Sequence, residues 1–160
     1  MDIAAYLIHV VHIFAAVLAG GAIFHSLLAV RPALAGVDET QRAGISRELA
    51  RRWFIIVQVL IALLLVTGLL NFVLIKAPLY RGHPHAGVYH TLFGVKFVLA
   101  LGVFHVATVL ALPGAKGDRY RAKAGFWLPY AAVLVTLVII VASVLYSFTR
   151  FWGEPAATAP

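Results

Sequence analysis

The sequence contains no cysteine, and its single methionine is the first residue. Disulfides and thiolate metal ligands are therefore excluded. Acidic residues are also scarce, with six Asp and Glu against 13 Lys and Arg, for a formal net charge of +7. Soft Cu(I) prefers thiolate and thioether ligands. A metal centre in this chain would therefore be built from histidine, which suits haem iron, Cu(II) or Zn better.

Long apolar stretches are what the chain has in excess. Each of four stretches is long enough to cross a hydrocarbon core of roughly 30 Å, and Lys96 is their only Lys, Arg, Asp or Glu. The pattern predicts an all-α, integral membrane four-helix bundle with helices at 3–30, 53–75, 88–112 and 126–149.

We expect one transmembrane domain over residues 1–152, followed by a disordered tail at 153–160 because that tail is short, small and proline-containing. The first stretch follows Asp2 rather than a basic leader, and its apolar run is too long for a signal peptide. We therefore expect it to be a retained helix.

Basic residues outside the four stretches are sorted by side. Nine lie in the predicted loops after the first and third stretches, and three lie on the opposite side. The positive-inside rule then predicts a cytoplasmic membrane protein with both termini on the outer, periplasmic side. Contact with the lipid bilayer explains the charge, so no nucleic-acid partner is expected. The nine are Arg31, Arg42, Arg47, Arg51, Arg52, Lys116, Arg119, Arg121 and Lys123, and the three are Lys76, Arg81 and Arg150.

Five of the seven histidines fall inside the predicted spans, where an ionisable ring is costly and usually has a partner and a function. Ile23-Phe24-His25 in the first span matches Val103-Phe104-His105 in the third, which predicts two repeated helical hairpins. Parallel repeats are related by an axis along the membrane normal. The repeat would set His25 opposite His105 on the inner side, and His9 or His12 opposite His90 on the outer side.

Two neutral imidazoles that face each other across a helix bundle supply what an axial haem site requires. We predict that His25 and His105 bind the iron of a b-type haem between the first and third spans. A second haem at the outer level, held by His9 or His12 together with His90, extends the same hypothesis.

Glycines near the inner pair bear on this hypothesis in two ways. Gly20, Gly21 and Gly102 would leave room for a porphyrin, but they are also typical of close helix packing in membranes. At about 100° per residue, His25 lies some 160° from His9 and 220° from His12. A kink at Gly20 and Gly21 would be needed to align both levels.

Lys96 lies about two turns from the outer end of the third span. Its ammonium would snorkel to the interface, hold a haem propionate or another anion, or take part in proton transfer. Other polar side chains in the spans could orient a ring nitrogen or bridge helices, namely Gln58, Thr67, Asn71 and Thr108.

Four short motifs along the chain resemble the membrane domain of the copper resistance protein D (CopD) family over most of residues 9–112. The resemblance implies movement of copper across the membrane, with the outer histidines His9, His12, His83, His85 and His90 as the place where the metal enters. The motifs are His12-Ile-Phe-Ala-Ala-Val-Leu-Ala-Gly20-Gly21, Arg51-Arg52-Trp53-Phe54, Thr67-Gly68-Leu-Leu-Asn71-Phe72 and Gly94-Val95-Lys96-Phe97.

The chain is also similar, more distantly, to the HemJ-type protoporphyrinogen oxidases. That resemblance implies a b-type haem with a histidine in the first span and a lysine in the third, and His12 (or His9) and Lys96 stand in those places. Ala19 departs from both families, which often carry tryptophan there, and the Pro-Arg run of the oxidase's first span is missing.

We predict a small cytochrome b that carries electrons within or across the bilayer and passes them to a quinone or a redox protein partner. Two alternatives stay open: CopD-like copper transport, and a non-catalytic subunit of a larger membrane complex whose histidines only bridge helices. The sequence does not distinguish a homo-oligomer from such a subunit, and it identifies no catalytic residue.

Overall fold

The computed structural model describes residues 3–152 as helices joined by short turns. Four helices in this range are long and apolar enough to cross a membrane, which confirms the predicted all-α membrane bundle. They are α1 (Ile3–Ala35), α2 (Glu39–Leu79), α3 (Ala86–Ala111) and α5 (Ala124–Tyr146). Two shorter helices accompany them, α4 (Gly114–Ala122) and α6 (Phe148–Trp152). The tail predicted to be disordered, 153–160, lies outside the described residues.

The segment between the first two spans is mostly helical, where the sequence predicted a loop. α1 continues through Ala35, and α2 begins at Glu39, well before the predicted start at residue 53. Asp38 caps α2, because its carboxylate accepts hydrogen bonds from the backbone amides of Thr40 and Gln41. The connection between the two helices is therefore reduced to residues 36–38.

Ion pairs along the polar start of α2 support this extension. The carboxylate of Glu48 pairs with Arg51 at 3.0 Å and with Arg52 at 2.7 Å. These residues are three and four positions apart, so they lie on one face of the helix. Arg51 and Arg52, which were predicted to lie in a loop, are thus part of α2.

α4 is tied to its neighbours by one arginine. The guanidinium of Arg121 donates hydrogen bonds to the carbonyls of Leu110 and Leu112, where α3 ends. It also bonds Asp118, which in turn pairs with Arg47 of α2. We call this end of the bundle, formed by α4 and the turn at 36–38, the basic end.

Side chains from three helices form the core. α1 and α3 each pack against α2 and α5 and lie diagonally across the bundle from one another. Ile23 of α1 and Val103 of α3 are both buried in this core, together with Val106, Ala131 and Val135. The matching residues of the two similar stretches therefore occupy matching environments.

The opposite end of the bundle is closed by aromatic rings, and we call it the aromatic end. Tyr80 and Tyr89 stack with ring centroids 4.1 Å apart, and Phe148 of α6 packs edge-on against both. Phe148 is fully buried. This cluster attaches α6 to the bundle.

Two of the long helices contain a π-helical segment. One covers Ser26–Val30 directly after His25, and the other covers Asn71–Lys76 in α2. Such wide turns often occur at functional sites. The second segment starts at Asn71, whose side chain forms a hydrogen bond with His9.

Candidate functional site

His12 forms the centre of a polar cluster inside the bundle. It lies nine residues after Ile3, or about 14 Å along α1 at 1.5 Å per residue. Its side chain is half-buried, and its Nδ1 lies 2.8 Å from the hydroxyl oxygen of Thr67 on α2. Thr67 is buried and also donates a hydrogen bond to the carbonyl of Leu63. The imidazole is thus held by the neighbouring helix.

The close approach of α1 and α2 at this point depends on a glycine. A Cβ on Gly68 would come within 3.1 Å of Cε1 of His12. That distance is too short for ordinary van der Waals contact. The absence of a side chain at Gly68 therefore lets the His12 ring lie against the backbone of α2.

A second histidine contact lies one turn nearer the aromatic end. Nδ1 of His9 is 3.3 Å from the amide nitrogen of Asn71. His9 and His12 are three residues apart on α1, and Thr67 and Asn71 are four apart on α2, so each pair shares one helix face. Two matched histidine contacts therefore join the first two spans.

Lys96 is the member of the cluster that lies on the third span, α3. It lies ten residues after Ala86, or about 15 Å along α3, at a depth comparable to that of His12. The side chain is half-buried, and its charge is close enough to His12 to act on it electrostatically. Within residues 3–152, Lys96 makes no hydrogen bond or ion pair. We refer to His9, His12, Thr67, Asn71 and Lys96 as the polar cluster.

The inner pair of predicted haem ligands lies elsewhere. The side chains of His25 and His105 are both exposed on the bundle surface, and neither makes a hydrogen bond within the described part of the chain. Ile23 and Val103, two residues before them, face the core. Two residues turn a helix by about 200°, which directs both histidines away from the interior. The structure does not bring His25 and His105 together inside the bundle.

The glycines near this pair are occupied by helix packing. A Cβ on Gly20 would lie 3.3 Å from Val135, and a Cβ on Gly102 would lie 3.0 Å from Leu134. Both neighbours belong to α5, which fills the space that the sequence had assigned to a porphyrin. Gly21 has nothing within 4 Å of its Cβ position. Close packing, the alternative interpretation, accounts for Gly20 and Gly102.

The remaining outer histidines are spread over the aromatic end. His83 is buried, and its Nδ1 accepts a hydrogen bond from the backbone amide of His85 at 3.1 Å. His85 itself is exposed, as is His90, whose ring lies edge-on to Phe72 at 5.6 Å. Among the described residues, no three His, Asp or Glu side chains group closely enough to bind a metal ion. The five outer histidines therefore do not form one site.

Gln58 and Thr108 form a separate polar contact. The Gln58 amide nitrogen lies 3.4 Å from the Thr108 hydroxyl and links α2 with α3. This contact bridges two helices and does not include any histidine.

Comparison with protein-family models, with curated proteins and with solved structures finds no match in any of the three. The polar cluster is therefore the basis on which a function can be inferred.

Proposed function

We propose that this multi-pass membrane protein binds one b-type haem and carries electrons, and that His12 would hold the haem iron. The observation that carries the proposal is the position of His12. Its half-buried imidazole lies within an apolar bundle and is held by Thr67, and Lys96, at a comparable depth on α3, has no ion-pair partner within residues 3–152. An ionisable cluster at this depth is costly and indicates a functional site.

The number of available ligands favours haem over a free metal ion. A protein-bound zinc ion takes at least three protein ligands. Haem iron takes its four equatorial nitrogens from the porphyrin and needs only one or two axial ligands from the protein. The described residues offer no group of three metal-ligating side chains, but they do offer an oriented imidazole, that of His12. The donor set therefore fits a haem better than a metal ion bound by side chains alone.

Lys96 supports the choice of an anionic cofactor. An ammonium without a countercharge is unfavourable in apolar surroundings, so a bound group that carries carboxylates would stabilise it. The haem propionates are such carboxylates. The resemblance to the HemJ-type proteins agrees with this assignment, since it implies a histidine in the first span and a lysine in the third.

Two members of the polar cluster then have a direct role at the haem. His12 would bind the iron, and Lys96 would neutralise a propionate. Haem b, when bound, supplies reversible one-electron oxidation and reduction. A quinone or a redox protein would exchange these electrons with the site. We propose one haem rather than two, because His25 and His105 are exposed.

The proposed orientation has the basic end in the cytoplasm and the aromatic end outside, in a cytoplasmic membrane. Its support is the sorting of nine basic residues against three. A reporter that is active only in the cytoplasm, fused after residue 160, should be inactive. An active fusion would reverse the orientation.

The test of the cofactor is a dithionite-reduced minus air-oxidised spectrum of the purified protein, made in cells supplied with a haem precursor. Pyridine haemochrome analysis should give about one haem b per chain. A protein without a Soret band under these conditions would overturn the proposal. Metal analysis of the same sample would then test the copper alternative.

A further inference from the structure

The hydroxyl group of Thr67 determines which nitrogen of His12 carries the proton. A threonine hydroxyl has one hydrogen, and Thr67 donates it to the carbonyl of Leu63. The same oxygen lies 2.8 Å from Nδ1 of His12. Since the oxygen has no second hydrogen, it accepts from His12, and the imidazole proton lies on Nδ1. The lone pair of His12 is then on Nε2.

The amide of Asn71 has the opposite effect on His9. The Asn71 nitrogen that lies 3.3 Å from Nδ1 of His9 can only donate. Nδ1 of His9 is therefore the acceptor, and its imidazole proton lies on Nε2. The Nε2 edge of His9 is then a hydrogen-bond donor and has no lone pair for a metal.

We infer that Thr67 and Asn71, one turn apart on α2, hold His12 and His9 in opposite tautomers, so that His12, and not His9, would bind the haem iron. The choice of ligand rests on the proposed haem function, whereas the two tautomers do not. Thr67 is a positioning residue, because it acts through His12 and does not touch the iron. A hydrogen bond of this kind orients the ring and makes the other nitrogen a stronger ligand.

The difference between the two histidines has a chemical use. His12 offers Nε2 to the iron, while Nε2–H of His9 can donate to an anionic group next to it. Loss of a residue that orients a metal-binding histidine usually weakens metal binding by about 10- to 100-fold. We expect Thr67→Val to weaken haem binding by this factor, and Thr67→Ser, which keeps the hydroxyl, to restore it.

The tautomers can be measured directly and without haem. The full chain is labelled with ¹⁵N-histidine and purified in detergent at about pH 8, where imidazole is neutral. Proton–nitrogen correlation spectra distinguish the two tautomers, and the variants His9→Gln and His12→Gln assign the signals. We expect His12 to be protonated on Nδ1 and His9 on Nε2. A wild-type His12 protonated on Nε2 would overturn the inference.

Two variants serve as controls for each other. Thr67→Val should change the His12 signals and leave those of His9, whereas Asn71→Leu should change His9 and leave His12. Unchanged His12 signals in Thr67→Val would overturn the role of Thr67.

The haem titration separates this inference from the proposed function. If wild type binds no haem in the titration, the proposed function is contradicted. The NMR spectra then still decide whether Thr67 orients the imidazole of His12. If wild type binds haem and Thr67→Val binds it equally tightly, the inference is contradicted and the proposed function is not.

Discussion

The imidazole of His12 and the hydroxyl of Thr67 join the first two spanning helices through a hydrogen bond of 2.8 Å. If this imidazole binds haem iron, His12→Ala should lower the haem content of the purified protein at least tenfold, since even indirect partners of a ligand have effects of about 10- to 100-fold. The measurement is haem per chain by pyridine haemochrome. His25→Ala and His105→Ala are matched controls, because both remove an exposed imidazole, and they should retain haem. Haem loss in these two variants, with retention in His12→Ala, would support the inner pair as ligands instead.

Lys96 should destabilise the haem-free protein. A charged side chain near the centre of a membrane span costs about 2.5–3.5 kcal/mol on insertion scales, and no anionic partner of Lys96 is present within residues 3–152. Lys96→Met should therefore raise the free energy of unfolding by about 1–3 kcal/mol. Lys96→Arg, which keeps the charge, should not. Unfolding in one detergent without haem provides the comparison, and equal stability of Lys96→Met and wild type would show that the charge is already compensated.

The fit of Gly102 against α5 predicts a packing effect. The new Cβ of Gly102→Ala would lie 3.0 Å from Leu134 and force that side chain to move, whereas Gly21→Ala would meet nothing within 4 Å. Both variants gain the same helix propensity, and overpacking costs about 1–3 kcal/mol. Gly102→Ala should therefore be less stable than Gly21→Ala by about that amount in thermal or denaturant unfolding. Equal stability would mean that α3 and α5 separate readily at this point.

Asp118 should make the stability of the basic end depend on pH. The hydrogen bond from Arg121, with the charges of Arg47 and Arg121, holds the pKa of the Asp118 carboxyl below its usual range. A lowered pKa in the folded state stabilises the protein above the unfolded-state pKa of about 3.9, and this stabilisation is lost as the pH falls through the folded-state pKa. Wild type should therefore be more stable than Asp118→Asn at pH 7, and the difference should disappear in strong acid.

The control for this pH effect is Asp38→Asn. Asparagine caps helices about as well as aspartate, so this variant should match wild type at neutral pH. A difference between wild type and Asp118→Asn that persists unchanged below about pH 3 would contradict the electrostatic explanation.

The spans were predictable because length and polarity alone decide whether a helix crosses a bilayer. The extension of α2 to Glu39 has two signals in the sequence: Asp38 is a good N-cap, and Glu48 pairs with arginines three and four residues later. The N-cap and these ion pairs stabilise a helix in a segment whose polar, basic composition predicted a loop.

The depth of each histidine was predictable, but the direction of its side chain was not. Sequence similarity pairs His25 with His105, and both occupy similar environments, but these lie on the outside of the bundle. Only the packing of Ile23 and Val103 in the core settles that direction. For the polar cluster, spacing was informative: His9 and His12 share one face of α1, and Thr67 and Asn71 share one face of α2.

The π-helical segment at Asn71–Lys76 lies between Thr67 and the aromatic end. A π turn closes its hydrogen bonds over one more residue than an α turn does. Removal of one residue after Asn71 would thus convert a wide turn into an ordinary one and leave the helix unbroken. Thr67 and His12 would keep their partners, while everything beyond residue 76 would rotate relative to them. The stacking of Tyr80 on Tyr89 would then be disturbed, while the contact between His12 and Thr67 is kept.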